Sequence, residues 1–81
     1  MVCLGIEERK FDCAEFGRKF RAWRVSQDLT QSEVALQLQL AGLPCDRHRI
    51  ARIESGQARM SIFEFEVLHV SFGLSYEYIM D

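Results

Sequence analysis

The chain has 81 residues but only one proline, two histidines and three cysteines, and it contains no hydrophobic run long enough to span a bilayer. Cys3, Cys13 and Cys45 form no pair at metal-ligand spacing, and an odd number of cysteines cannot all be bridged. Small secreted domains usually carry a dense, even set of cysteines. We therefore predict a cytoplasmic protein without a metal site, and we expect no membrane association.

The sequence also lacks the patterns that catalysis needs. It has no glycine-rich phosphate loop, and no nucleophile stands at a recognisable spacing from a base. We expect a protein that is not an enzyme and that needs no cofactor. One alternative concerns Cys45, which precedes Asp46: a thiol at a helix start can have a lowered pKa and act as a redox switch. A small apolar residue between two helices is the interpretation that we favour.

Charge is distributed unevenly along the chain. The net charge of −2 argues at first against a nucleic-acid partner. Residues 17–59, however, contain eight basic and four acidic side chains, whereas residues 60–81 contain four acidic side chains and no basic one. A concentrated basic face is what attracts nucleic acid, and the total charge can mask it.

Periodicity and capping signals predict one all-α domain of five helices. A core this small often needs a partner chain to complete its burial, so a homodimer is expected. The predicted helices begin after Asp12, Thr30, Asp46, Ser61 and Ser75 and extend to about Gln27, Ala41, Glu54, Phe72 and Met80. On the fourth helix, Ile62, Phe65, Leu68, His69 and Phe72 are predicted to share one stripe.

A set of residues along the chain carries a family resemblance. The segments are Phe16-Gly17, Phe20, Trp23-Arg24, Leu29-Thr30-Gln31-x-Glu33-Val34-Ala35 and Ile50-Ala51-Arg52-Ile53-Glu54-Ser55-Gly56. Over residues 14–80 the chain resembles the helix-turn-helix family of lambdoid phage repressors, Cro proteins and their bacterial relatives, often called the Xre family. The resemblance implies a five-helix, lambda-repressor-like domain at residues 13–81. It also implies a transcriptional regulator, most simply a repressor, that binds a palindromic operator in double-stranded DNA as a homodimer.

The resemblance assigns roles to individual positions. Arg47, His48 and Arg52, on a recognition helix at about residues 46–55, correspond to positions that meet DNA bases. Contacts to DNA phosphates are implied for Gln31, Arg49 and Arg59. Arg24 and Glu54 correspond to a structural salt bridge. Ten positions correspond to the hydrophobic core: Phe16, Phe20, Trp23, Val34, Ala35, Leu38, Ile50, Ile53, Phe65 and Leu68.

The sequence departs from the family pattern in three places. The stretch from Ala35 to Asp46 is about five residues longer than in the shortest phage repressors, which affects the aim of the recognition helix. His69 stands where the family usually has a small residue, and we expect it to be partly buried and hydrogen-bonded. The C-terminal segment is acidic and aromatic. Its apolar side chains suit a two-fold dimer interface or packing on the fourth helix: Tyr76, Ile79 and Met80.

Several functional alternatives share this sequence pattern. Small proteins of this build also serve as antitoxins, which hold a small protein toxin as well as DNA, and as controllers of restriction–modification genes. A module that binds only proteins is an alternative from a different class, and the acidic ends of the chain motivate it. Residues 1–12 match no motif; a disordered arm, a dimer contact through apolar side chains and a weak DNA tether through Arg9 and Lys10 stay open.

Overall fold

Four α-helices account for most of residues 12–77, the part of the chain that the computed structural model describes. The helices are α1 (Cys13–Ser26), α2 (Gln31–Leu40), α3 (Arg47–Glu54) and α4 (Ile62–Phe72), and no strand occurs within the described residues. The all-helical class is therefore confirmed. Of the predicted fifth helix only Tyr76 and Glu77 are described, and both are helical. The N-terminal arm up to residue 11 and the predicted interface residues Ile79 and Met80 lie outside the described residues.

Each helix begins where a short polar side chain caps it. The Asp12 carboxylate accepts hydrogen bonds from the backbone N–H groups of Ala14 and Glu15, and the Asp46 carboxylate accepts one from Arg49. Full capping boxes start α2, between Thr30 and Glu33, and α4, between Ser61 and Glu64. Such caps satisfy backbone donors that have no partner within the helix, and each typically contributes about 1 kcal/mol. The predicted starts of these four helices are confirmed.

The core is built from the inward faces of all four helices. All ten predicted core positions are buried, and Cys45 and Leu74 join them. The rings of Phe16, Phe20 and Trp23 follow one another along α1, and Trp23 meets Phe72 of α4 at a centroid distance of 6.2 Å. Because these rings each bury a large apolar area, they account for much of the stabilisation that so small a domain can gain.

Two predicted members of the α4 stripe do not belong to the core. Ile62, the first residue of α4, is 67% exposed, since the preceding chain at a helix start does not cover it as a further helical turn would. His69 is also exposed, although its Nδ1 makes the expected kind of hydrogen bond, 2.7 Å from the carbonyl oxygen of Leu74. The prediction of a partly buried His69 was therefore wrong, and the prediction of its hydrogen bond is confirmed.

Helix α3 is held from two sides, since it packs against α1 and α2. The contact with α1 is very close: a Cβ on Gly17 would lie 2.5 Å from the carbonyl oxygens of both Ile53 and Glu54. After α3 the chain turns at Gly56, whose φ of +86° is a conformation that L side chains rarely adopt. These contacts fix the orientation of α3 relative to α1.

The helices of the described residues are too short, or not apolar enough over a sufficient length, to cross a membrane.

Candidate nucleic-acid interface

Helix α3 has one buried and one exposed side, and the exposed side is basic. Ile50 and Ile53 are fully buried and anchor the helix to the core. Arg47, His48 and Arg52 are all exposed. The only acidic residue within α3, Glu54, is buried and paired with an arginine. The outer surface of α3 therefore presents arginine and histidine donors without an acidic neighbour on the same helix.

The ion pair that was expected between Arg24 and Glu54 is present. Arg24 Nε donates to Glu54 Oε2 at 2.6 Å and Arg24 Nη2 donates to Glu54 Oε1 at 3.2 Å. Both side chains are almost completely buried, and Arg24 Nη1 also donates to the carbonyl oxygen of Leu29. Two parallel N–H···O bonds of this kind hold both side chains in one geometry. The pair ties the end of α3 to α1.

Gln31 belongs to the same hydrogen-bonded cluster. Its Nε2 donates to Glu54 Oε1 at 3.1 Å, so the carboxylate orients the Gln31 amide. The amide nitrogen carries two hydrogens, and this bond uses one of them. Gln31 is the first residue of α2, and the Glu54 carboxylate holds its side chain in place. The family resemblance predicts a phosphate contact for this residue.

Arg21 was missed by the sequence analysis. Its guanidinium Nε lies 4.0 Å from Glu54 Oε1, and its side chain is 67% exposed. Arg21 lines an open depression of about 450 Å³ together with Arg24, Leu29, Thr30, Gln31, Ser32 and Arg47. A signal for this position existed: Arg21 precedes Arg24 by three residues, a spacing that puts both side chains on one face of α1.

Arg49 forms a second ion pair, with Glu64 of α4. Its Nε and Nη2 donate to the two oxygens of Glu64, at 2.6 and 2.9 Å, and Nη2 also donates to the carbonyl oxygen of Arg59. Glu64 is buried. A guanidinium that compensates a buried carboxylate cannot leave it without exposing that charge to an apolar environment, so Arg49 joins α3 to α4. The phosphate contact that the resemblance implies for Arg49 stays a prediction.

The pair with Arg49 predicts an acid-dependent stability. Burial by itself raises the pKa of Glu64, but hydrogen bonds from Arg49 and from Ser61 outweigh it and hold the pKa below the ordinary 4.5. A carboxyl with a lower pKa in the folded state stabilises the fold above its unfolded pKa, and this contribution is lost as the pH falls through the folded value. We expect urea unfolding to show the loss below about pH 4.5.

Two variants isolate this contribution. Glu64→Gln can keep the capping box but has no charge to titrate, so its stability should fall less steeply in acid than that of the wild type. Glu66→Gln, an exposed neighbour on α4, should follow the wild type. Equal acid slopes for the wild type and Glu64→Gln would contradict the assignment of the carboxyl.

The structure argues against Cys45 as a redox switch. Cys45 is 7% exposed and belongs to the core. Burial raises the pKa of its thiol to about 11, and the nearby Glu64 carboxylate acts in the same direction. The thiolate is the reactive form, so this cysteine is poorly reactive at neutral pH. The alternative of a lowered pKa is wrong, and the apolar role that we favoured is the one the structure shows.

Thiol labelling can check this environment. In a Cys3→Ser background at about pH 8, Cys45 should react roughly a hundredfold more slowly than in the urea-unfolded chain, because both burial and the raised pKa suppress the thiolate. Cys13, which is half-buried at the start of α1, provides the internal reference. Labelling of Cys45 at the unfolded rate would show that the thiol is accessible and would contradict the assignment.

The remaining candidate residues lie apart from the depression. Arg59 is exposed in the loop between α3 and α4. Tyr76 stacks on Phe65 at a centroid distance of 4.1 Å and is 44% exposed, so its ring already packs on α4. Of the two arrangements that the sequence left open for Tyr76, packing on α4 is the one observed within the chain.

No metal centre is found in the described part of the chain, since no group of three or more His, Cys, Asp or Glu side chains is arranged to hold an ion. The outer side of α3 and the depression beside it carry hydrogen-bond donors: guanidinium, imidazole and amide groups. Such donors suit an anionic partner with many acceptor oxygens. No protein-family model, curated protein or solved structure matches the chain, so the assignment of this surface rests on its own residues and geometry.

Proposed function

We propose that this protein is a sequence-specific DNA-binding regulator, with α2 and α3 as its helix-turn-helix and α3 as the recognition helix. The observation that carries the proposal is the division of α3 into two sides. Ile50 and Ile53 fix the helix in the core, and Arg47, His48 and Arg52 stand exposed on the outside. A single helix fits the major groove of B-DNA, where arginine and histidine donors reach guanine O6 and N7.

The positive charge on and beside α3 favours DNA binding, even though the net charge of the whole chain is −2. Two acidic residues beside α3, Glu54 and Glu64, are buried and paired with Arg24 and Arg49, and the exposed Asp46 caps the start of the helix. Arg21, Arg47 and Arg52 are exposed on or beside this surface. Phosphate contacts would provide salt-dependent affinity, and base contacts would provide discrimination.

We further propose that the protein acts as a homodimer on a palindromic operator and represses by occupying a promoter. A domain of this size gains stability from a partner surface, and a two-fold dimer places two recognition helices about one helical turn of DNA apart. Selection of operator sites tests this directly: two half-sites in inverted repeat, about 10 base pairs between centres, are expected.

The experiment that tests DNA recognition compares two substitutions of one residue. DNA selected from a random pool should contain a preferred site that the wild type binds more weakly as salt rises. Arg52→Ala should lose about 1–3 kcal/mol of discrimination at one base pair. Arg52→Lys keeps the charge but loses the bidentate geometry, so it should retain the salt dependence and still lose discrimination. Failure of the wild type to enrich any site would end the regulator proposal.

A second candidate function, a module that binds another protein, is favoured by one observation. Several large apolar side chains are more than half exposed on α2 and α4: Leu36, Leu40, Ile62, Phe63 and Val70. An antitoxin would use such side chains to hold a toxin in addition to binding DNA. Sedimentation of the chain alone and together with the product of a neighbouring gene distinguishes a protein that binds only DNA from one that also binds a protein partner. A complex that is lost in Phe63→Ser/Val70→Ser while DNA binding persists would support a protein partner on this surface.

A further inference from the structure

The open depression lies where α1, α2 and α3 meet, and each helix provides one of its polar walls. Arg21 comes from α1, Gln31 from the first turn of α2, and Arg47 from the first turn of α3. Three of the seven lining residues are arginines, and none is acidic. The side chains of Arg21 and Arg47 are exposed, so a ligand can approach them from solvent.

The buried carboxylate of Glu54 does not line the depression but holds side chains that do. Glu54 pairs with Arg24 and accepts a hydrogen bond from Gln31 Nε2. Glu54 also lies 4.0 Å from Arg21 Nε, and its one negative charge stands against the three arginines that line the depression, so positive charge remains in excess there. The carboxylate also holds the Gln31 amide in place before any ligand arrives, so little side-chain entropy is lost on binding.

We propose that Arg21, Gln31 and Arg47 form one cradle that binds a single phosphate group of the DNA backbone. It follows that Arg47 positions the protein on the duplex and does not read a base. The proposal rests on the proposed DNA-binding function and deepens it. It changes the role that the family resemblance implies for Arg47 and adds Arg21, for which the resemblance implies none.

The shape of the ligand is the reason for choosing a phosphate. Donors that converge from three helices need a ligand with acceptor oxygens in several directions, which a tetrahedral phosphate provides. A base edge is planar and is flanked by its neighbours in the stack, so it can be approached only from the groove. The guanidinium groups of Arg21 and Arg47 match phosphate oxygens in geometry and charge.

Site selection with single variants distinguishes the two roles of Arg47. A phosphate contact weakens binding to all sequences about equally and lowers the salt slope by about one, whereas a base contact changes the preferred sequence. We expect Arg47→Ala to select the wild-type site with lower affinity and a smaller salt slope. Arg21→Ala should behave in the same way, and Arg52→Ala should select a relaxed site. Relaxed preference at one base pair in Arg47→Ala, with an unchanged salt slope, would overturn the proposal.

A second measurement needs no DNA and therefore separates failure of the cradle from failure of the regulator function. Inorganic pyrophosphate is titrated into the 15N-labelled protein, and the side-chain amide signals of Gln31 are followed by NMR. We expect these signals to shift in the wild type, and the shift to be lost in Arg21→Ala and Arg47→Ala but kept in Lys19→Ala. Lys19 is a matched control because it pairs with Glu15 on α1 and does not line the depression. Shifts that are absent, or equal in all variants, would overturn the cradle whatever the DNA result.

Discussion

Replacing Arg24 by methionine is expected to lower the free energy of unfolding by about 3–5 kcal/mol, because it leaves the Glu54 carboxylate buried without its main partner. Glu54 receives two hydrogen bonds from Arg24, and both residues are almost fully buried. Gln31 Nε2 would remain as a neutral donor and the exposed Arg21 as a cation at 4.0 Å, and together they replace only part of two short charged hydrogen bonds. Methionine fills most of the volume of arginine, so the loss reports the charge rather than a cavity.

Urea unfolding followed by tryptophan fluorescence measures this effect. Glu15→Gln breaks the exposed pair with Lys19 and serves as the control, with an expected change below about 0.5 kcal/mol. The double variant Arg24→Met/Glu54→Leu removes both charges and should recover much of the stability that the single variant loses. A single variant that loses less than about 1 kcal/mol would contradict the view that this pair holds α3 to α1.

The second large effect is expected at Gly17. Alanine is normally the better helix former by about 1 kcal/mol, so Gly17→Ala would stabilise an isolated α1. In the folded chain the new Cβ would lie 2.5 Å from two carbonyl oxygens of α3, those of Ile53 and Glu54. Backbone atoms cannot rotate away as a side chain can, so α3 must move. Overpacking of this kind typically costs about 1–3 kcal/mol, and we expect the upper end of that range.

The control for Gly17→Ala is the reverse exchange at an exposed position of the same helix. Ala22→Gly should lose about 1 kcal/mol through helix propensity alone. Because α3 carries the proposed recognition surface, Gly17→Ala should also weaken DNA binding at temperatures where the variant is folded. Stabilisation by Gly17→Ala, as propensity alone predicts, would show that α1 and α3 leave room for a Cβ between them and would contradict the 2.5 Å approach.

The helix starts and the core could be predicted from the sequence because both depend on neighbours a few residues away. Thr30 with Glu33 is a capping box in any context, since the two side chains reach backbone groups within one helical turn. The spacing of Phe16, Phe20 and Trp23 defines one face of α1, and an apolar face of a soluble helix is buried. The sequence alone therefore determined the all-helical class, four helix starts and the apolar faces of the helices, and the family resemblance implied the full set of ten core positions.

Contacts between helices were decided only by the tertiary structure, apart from the Arg24–Glu54 pair that the family resemblance implied. Arg49 and Glu64 are fifteen residues apart, and nothing in the local pattern distinguishes Arg49 from the exposed Arg52 on the same helix. The neighbourhood of Arg21, Gln31 and Arg47 likewise depends on how α1, α2 and α3 cross. The alternative of a lowered Cys45 pKa failed for the same reason: a helix start favours the thiolate, but burial in the core opposes it more strongly. Sequence periodicity tells which side of a helix is buried, whereas the crossing of helices decides which charged groups meet.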